Sequence, residues 1–343
     1  MSESDDTISH PPALALISYQ HIMAETLPPV DWLVEPLIAH GDRVVVYGQF
    51  GSLKSWLLLH LGLAVAAGQP WLSTFPIPAP HVVVYVDEEM SVRTLRRRVK
   101  RLGLGSGLEA SPLEFHVLSH PRITFDAHGA DALLAGLAMQ ALQPSVIIIE
   151  TFRRVLQGSE NAAEDVSAFW RNIEPLRAAG TTLILSHHMR KPHREGDQDS
   201  RYHASGSTDI LAGADTAFAV KLAAKGLIGL TCVKARNAEE PKPFYVSLHD
   251  TTPESPIAMR FEGYQHPTSH GPAELMRASE LIRTIMARAV DRTMTVSDLL
   301  TQVQAGGVTE RTAQRAWRLA KELGQVAAVK HGVWQWKPPA LAA

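Results

Sequence analysis

Short runs of apolar residues alternate with helix-period segments along most of the chain. Arg43–Tyr47 (RVVVY) is a continuous apolar run closed by Gly48, the pattern of a strand buried on both faces. Ser55–Ala67 reads as a helix, stopped by Gly68 and Pro70. His81–Val86 (HVVVYV) is a second buried strand, ending in Asp87-Glu88-Glu89, and Ser91 caps a basic helix over Val92–Leu102. Leu113–Leu118 is a third strand, Ala130–Leu142 a helix, and Ser145–Ile149 (SVIII) a fourth strand ending at Glu150. Ala163–Ala179 reads as a helix and Thr181–Ser186 as a fifth strand.

This alternation predicts an α/β fold with a mostly parallel sheet and right-handed crossovers. From Thr216 the rhythm changes. Thr216–Leu222, Ile228–Lys234, Pro243–Leu248 and Ala258–Tyr264 are strand-like with short connections, which predicts an antiparallel extension of the sheet. Residues 265–272 (QHPTSHGP) have the composition of a linker. Beyond it come a helix (Glu274–Ala289), a short helix to Val303, a Gly306-Gly307 turn and a Thr309-capped helix to Leu323. A hairpin over Val326–Val329 and Val333–Trp336 follows. That order is a winged helix-turn-helix pattern. The expected organisation is a disordered tail over 1–12, an α/β domain over 13–264, a linker over 265–272 and a winged-helix DNA-binding domain over 273–337.

Composition adds little at first. The chain has 343 residues, 45% hydrophobic and 20% charged, with a formal net charge of −2. These are ordinary globular values. The average hides two parts: residues 270–343 carry 10 Lys/Arg and 6 Asp/Glu, so +4, and the remainder carries −6. One cysteine, Cys232, excludes an intramolecular disulfide. The 16 His show no metal-ligand spacing. The apolar stretch Trp56–Ala67 is too short to span a bilayer, so no membrane partner and a cytosolic location are expected.

Between the first strand and its helix lie Gly48-Gln49-Phe50-Gly51-Ser52-Leu53-Lys54-Ser55, followed by Trp56. The phosphate-binding pattern GxxxxGK[ST] is met except that Leu53 holds the second glycine position. Backbone N–H groups of residues 48–56 at the helix start cradle phosphates in such a loop. Lys54 reaches the β/γ-phosphates and Ser55 ligates Mg²⁺, so ATP and Mg²⁺ are the expected cofactors. Leu53 demands a backbone conformation that tolerates a Cβ.

Ligands of open α/β sheets bind at the carboxyl ends of strands. Glu150 is placed there to hold the Mg²⁺ shell. Glu89 is placed to orient the attacking water, with Asp87 and Glu88 as rivals. The fifth strand ends in Ser186-His187-His188, where one His is suited to sensing the γ-phosphate and the other to plain burial.

Several of these segments together resemble RepA-type hexameric replicative helicases, within the RecA- and DnaB-like P-loop ATPases (AAA domain). The resemblance runs over about Trp32–Asp250. It is carried by the loop, Val86-Asp87-Glu88-Glu89-Met90 with its basic helix, and Glu150-Thr151-Phe152-Arg153-Arg154. Asn161 and His187-His188-Met189-Arg190-Lys191 carry it further. It implies a catalytic Glu at Glu89, a metal-binding acid at Glu150 in place of the family's usual Asp, and a sensing His at His188. Val233-Lys234-Ala235-Arg236-Asn237 resembles the K-x-R-N segment of DnaB-like helicases, and implies that Lys234 and Arg236 reach a neighbouring subunit's γ-phosphate in a ring. Gly206–Asp209 and Asp215 also match a family-like segment and are given a structural role. In such rings the loop corresponding to 189–205 lines the channel for single-stranded DNA. Here it offers Arg190, Lys191 and Arg201 among seven charged residues.

In the C-terminal module, Ala313, Ala316, Trp317 and Ala320 share one helix face, while Arg311, Gln314, Arg315 and Arg318 lie largely elsewhere. A polar, basic second helix suits phosphate and base-edge contacts with duplex DNA, with Lys330 and His331 at the wing tip. Trp317, Trp334 and Trp336 are expected in the core. The expected function is an ATP-dependent DNA helicase or translocase, a homo-hexamer acting in the replication of a plasmid, phage or integrated element. A recombination mediator, and a DNA-binding regulator with a weakly hydrolytic nucleotide site, are the alternatives.

Overall fold

A computed structural model describes residues 16–188, 209–249, 252, 255–265, 272–322, 325–330 and 332–337; residues 272–276, 311 and 322 are described by their backbone alone. After α1 (Tyr19–Ala24) and the small pair β1 (Trp32–Val34) and β2 (Ile38–Ala39), the chain enters a nine-stranded sheet at β3 (Arg43–Gly48). It continues through α2 (Lys54–Ala67), β4 (Val83–Asp87), α3 (Val92–Gly105), β5 (Phe115–Ser119), α4 (Gly129–Ala138) and β6 (Val146–Glu150). Next come α5 (Phe152–Val155), α6 (Ala163–Asn172), α7 (Glu174–Ala178), β7 (Thr182–His188), α8 (Asp209–Gly213) and β8 (Thr216–Ala224). The sheet ends with β9 (Leu227–Ala235), β10 (Phe244–His249) and β11 (Ala258–Gly263).

The strand order is β11-β10-β9-β8-β3-β7-β6-β4-β5. The six strands from β8 to β5 are mutually parallel. β9, β10 and β11 extend them antiparallel, as the change of rhythm predicted.

The sheet is covered on both faces, which is why its strands read as unbroken apolar runs. Val44 and Val46 of β3, Tyr85 of β4 and Ile148 of β6 pack with α2 and α3. Their neighbours Val45, Tyr47, Val84 and Ile149 pack on the other side, with Phe125, Phe152 and Phe169.

Three predicted boundaries change. The helix expected over Ala163–Ala179 is two, α6 and α7, broken at Ile173, two residues before Pro175. A proline lacks the N–H that a continuous helix would need there. The fifth strand runs two residues further and takes both histidines into β7. The predicted helix over Ala130–Leu142 closes at Ala138, and Ala141 has a positive φ of 56°.

Beyond the sheet, α9 (Pro272–Arg288), α10 (Val296–Ala305) and α11 (Glu310–Glu322) accompany β12 (Thr293–Thr295), β13 (Val326–Lys330) and β14 (Val333–Trp336). These strands form a three-stranded antiparallel sheet in the order β12-β14-β13. β12 is absent from the sequence reading. Helices and sheet share a core of Ala278, Ile282, Met286, Leu299, Ala313, Ala316 and Trp317, closed by Trp336. Trp334 packs edge-on against Trp317, so all three tryptophans lie in or against the core as expected. No described helix is long and apolar enough to cross a membrane.

Candidate active site at the carboxyl ends of the strands

β3 delivers the chain into the loop at Gly48. A Cβ there would stand 2.3 Å from the Val220 carbonyl oxygen of β8 and 2.9 Å from Ser52 Oγ, so only glycine lets the two strands approach. Gly51 has a φ of +77°. Leu53 is the N-cap of α2 and takes the left-handed conformation itself, at φ 63° and ψ 17°. The loop pattern's second glycine is therefore replaced in identity and kept in backbone shape. Its side chain offsets the strain by packing, half-buried, against the α2 core.

The α2 N-terminus turns its free N–H groups toward the loop, where anions are favoured. Lys54 is buried, and its Nζ donates to the carbonyls of Gly48 at 2.8 Å and Gln49 at 3.0 Å. Burial holds its ammonium below the usual lysine range, partly offset by Glu150 and Glu89. Phe50 is fully open to solvent at 96% exposure. Trp56 turns toward α3, where the Arg98 guanidinium sits 4.7 Å over its ring. Its indole is thus engaged within the protein.

At the second residue of α2, Ser55 Oγ donates to Glu150 Oε1 at 2.5 Å. The second oxygen of Glu150 accepts from the Tyr85 hydroxyl. Burial raises the Glu150 carboxyl above the usual range, against the lowering effect of these two donors. Ser55 and Glu150 thus present a hydroxyl and a carboxylate oxygen side by side, the hard donor set that Mg²⁺ takes, and the residues fit that ion. Tyr85 is a site residue that sequence reading missed. Its only signal is a polar tip within an otherwise aliphatic run.

β4 brings up the second acid. Asp87 is fully buried, and its Oδ1 accepts from the N–H groups of Glu89 at 2.9 Å and Met90 at 3.1 Å. Glu88 Oε1 accepts from Ile123 N–H, and Glu88 N–H donates to the Glu150 carbonyl. Both rivals are engaged in shaping the turn, which leaves Glu89 facing the site. His188 Nε2 lies 3.6 Å from Glu89 Oε1, an ion-pair distance longer than a direct hydrogen bond. His188 is the main cause holding the Glu89 carboxyl below its usual range, opposed by burial and helped by Arg154 and Lys54. Arg154 is thereby a second residue near the site that the sequence reading gave no role. His187 is the buried one of the pair, edge-on to Phe152 at 5.3 Å.

Lys54, Ser55, Glu89, Glu150 and His188 therefore converge at one end of the sheet. Lys234 and Arg236 do not join them. Lys234 Nζ donates to the Leu211 and Ala212 carbonyls at 2.8 Å each. Arg236 Nη1 pairs with Asp215 Oδ1 at 2.7 Å, and Asp215 is also held by Arg43 at 3.0 Å. Asp215 fills the structural role expected of it. Arg190, Lys191 and Arg201, and most of the Gly206–Asp209 segment, lie outside the described residues. Gln314, Arg315 and Arg318 are exposed on α11, where Gln314 donates to Glu310 at 2.9 Å. Arg311 lies on the same helix, Lys330 is exposed at the end of β13, and His331 lies outside the described residues.

Among solved structures, similarity is found to a DnaB-like replicative helicase, with 10% identity, a TM-score of 0.48 and coverage of 65% of this chain and 58% of that one. This chain thus spans less than two thirds of the helicase. The KaiC-like protein PH0186 from Pyrococcus horikoshii OT3 shows 15% identity and a TM-score of 0.45, over 67% of this chain and 94% of that one. The RadB recombinase shows 16% identity and a TM-score of 0.43, over 64% and 90%. No curated protein matches the sequence. The AAA domain family matches residues 10–194, more than half of the sequence and the stretch that supplies the loop, Glu89, Glu150 and His188, and the chain belongs to that family.

Proposed function

We propose that the chain is an ATP-driven DNA motor of the RepA helicase type, a ring of six copies that hydrolyses ATP at subunit interfaces and moves on DNA. Its setting would be replication of a plasmid, phage or integrated element. The observation that carries the reading is the meeting of Lys54, the Ser55–Glu150 pair and the Glu89–His188 pair at the strand ends.

Backbone N–H groups of residues 48–56 bind the phosphates, and Lys54 exchanges the Gly48 and Gln49 carbonyls for β/γ-phosphate oxygens. Ser55 and Glu150 hold Mg²⁺. When bound, Mg²⁺ neutralises charge developing on the phosphate oxygens. Glu89, kept ionised by His188, accepts a hydrogen bond from the attacking water and orients it. His188 links the position of Glu89 to the end of β7, from which the 189–208 segment departs with Arg190, Lys191 and Arg201 as its DNA contacts. Lys234 and Arg236 act on a neighbouring subunit's nucleotide. Residues 273–337 form a winged helix that holds duplex DNA through Arg311, Gln314, Arg315 and Arg318 of α11 and Lys330 of the wing.

DNA-stimulated ATP hydrolysis tests the reading. It should be lost in Glu89→Gln with ATP binding retained, and the wild type should displace a strand on forked DNA. Hydrolysis without displacement would point to a recombination mediator. Binding without turnover in the wild type would leave a nucleotide-switched DNA regulator, a reading favoured by the burial that raises the Glu150 carboxyl.

A further inference from the structure

The far edge of the sheet carries a surface that the nucleotide site does not use. β5 is the last strand, so its outer backbone edge is unpaired by any other described strand. Between β5 and α3 runs a groove of about 410 Å³, floored by Val92, Leu95, Val99 and Val117, with Ser119 at its end. Val92 and Val117 are 45% and 39% exposed, so the floor stands open to solvent. An apolar cleft with a few polar groups on its rim is the usual form of a ligand site.

That rim is cationic. α3 carries six Arg/Lys and no acid. Two of the six have structural tasks. Arg98 stacks on Trp56, and Arg101, buried, donates to the Thr252 and Ser255 carbonyls at 2.7 Å. Arg96 and Lys100 line the groove itself. With Arg93 they recur at three- and four-residue spacing on one side of the helix, all exposed, and none forms an ion pair among the described residues. Like charges at this spacing repel one another, and an anionic ligand relieves the repulsion. The steps of the row are about 4.5 and 6 Å along the helix axis, the scale of neighbouring phosphates on an extended strand.

We propose that the α3–β5 groove binds single-stranded nucleic acid. Arg93, Arg96 and Lys100 take successive phosphates, and an unpaired base lies on the floor of Val92, Val99 and Val117. The chemistry selects this polymer. A repeating anion answers the row of cations, and the apolar slot beside the row takes a flat apolar face, which a polynucleotide offers only where its bases are unpaired. A duplex stacks its base faces inward and would leave the slot unfilled. The aliphatic floor touches base faces without reading their edges, so sequence preference is weak. The groove ends at Ser119, which pairs with Asp87, the residue whose carboxylate holds the Glu89 N–H. A bound strand therefore lies beside the turn that sets Glu89. This site is additional to the DNA contacts proposed above, and takes from that reading only that the chain meets unpaired DNA.

The test traps a strand in the groove. Full-length Val117→Cys protein is mixed with an oligothymidylate carrying one base tethered to a small thiol through a disulfide. The introduced thiolate attacks that disulfide, forms the protein–DNA disulfide and releases the small thiol, so no outside oxidant is needed. Cys232 is buried and the chain's only natural thiol. Trapping should be about tenfold faster than in Met139→Cys, whose site just past α4 is 85% exposed but away from the groove. Arg96→Ala/Lys100→Ala should make the slope of log K against log salt for the same oligonucleotide shallower by about 1.4, two phosphate contacts at about 0.7 each. Arg96→Lys/Lys100→Arg keeps both charges and should keep the slope. Equal trapping at the two positions, a slope indifferent to the double alanine variant, or a duplex trapped as fast as the single strand would each overturn the proposal. An unchanged slope with lost binding to phosphatidylserine vesicles would overturn it too, and would assign the row to a lipid surface. Oligothymidylate binding with none of the expected responses removes the groove and leaves the motor reading standing. Trapping without ATP hydrolysis keeps the groove and removes the motor.

Discussion

Leu53 carries a backbone conformation that its side chain opposes, and a short substitution series isolates the two effects. The left-handed region costs a residue with a Cβ about 1–2 kcal/mol. The half-buried Leu53 side chain returns about 1 kcal/mol through its contact with the α2 core. Leu53→Ala keeps the strain and loses the packing, so it should cost about 1 kcal/mol. Leu53→Gly loses the same packing and relieves the strain, while giving back about 0.4–1 kcal/mol through the freer unfolded chain. It should therefore lie about 0.5–1 kcal/mol above Leu53→Ala. Leu53→Thr is the decisive member. At an ordinary extended N-cap a threonine hydroxyl stabilises the helix by about 1 kcal/mol over alanine. At φ 63° its branched Cβ is at its worst, and it should fall below Leu53→Ala. Urea unfolding of the nucleotide-free protein by circular dichroism gives the order Gly above Ala above Thr, with ATP binding retained in Leu53→Gly. A Leu53→Thr protein as stable as Leu53→Ala would refute the left-handed cap.

Other consequences follow from burial. The Glu150 carboxyl is raised by burial, so the folded chain binds more protons than the unfolded one above about pH 4.5, and its contribution to stability falls as pH rises from there. Glu150→Gln should melt higher than wild type at pH 7.5 and lose that advantage toward pH 4.5, while losing Mg²⁺-dependent ATP binding. His60 is a base pushed down to about 4 by burial, so the unfolded chain takes up the proton first and stability drains as pH falls from 6.5 to 4. His60→Leu should remove up to about 3 kcal/mol of that acid sensitivity, seen as a flatter melting profile over the same range. Tyr85→Phe leaves a buried Glu150 oxygen without its donor and should cost about 2 kcal/mol in urea unfolding. Arg236→Ala should leave stability within about 1 kcal/mol, because Arg43 still holds Asp215, and should abolish turnover in the assembled protein while ATP binding persists.

Much of this was legible because the informative signals are local. RVVVYG places a strand directly before the loop, VVVYVDEE and SVIIIE each place a strand and its terminal acid in one short segment, and the sheet aligns the last two ends. The C-terminal tryptophans were legible for the same reason, since helical spacing alone puts Trp317 with Ala313, Ala316 and Ala320. What escaped depends on distant partners. The resemblance already pointed to Glu89, but what occupies its rivals was not legible: Asp87 folds back on the Glu89 and Met90 N–H groups, and Glu88 meets Ile123. Tyr85 matters only because β4 lies beside β6, which sets its hydroxyl against Glu150 across 65 residues of sequence. Leu53 read as a departure from the loop pattern, yet the pattern encodes a backbone angle, and a leucine with enough packing on its side chain holds that angle.

The sheet also decides what Lys234 and Arg236 can do. β9 runs antiparallel to β8, and Ala235 pairs with Thr216, which itself sits beside Val44 at the start of β3. The phosphate loop leaves the other end of β3, after Gly48. About four residues of strand intervene, roughly 13 Å at about 3.3 Å per residue. Within one chain the two basic side chains and the loop therefore lie at opposite ends of the same strands, and Lys234 and Arg236 are directed at α8 and Asp215. A role for either on a nucleotide phosphate is consequently a role toward another copy. Arg236 is suited to it: its side chain is 49% exposed, and the carboxylate it would leave keeps Arg43. Lys234 gives up two carbonyl contacts and gains only what a neighbour supplies. Release of Arg236 gives up the Asp215 pair and an Ala212 carbonyl contact at 3.2 Å, but Asp215 keeps Arg43, so of the two residues in the proposed finger role Arg236 is the better suited.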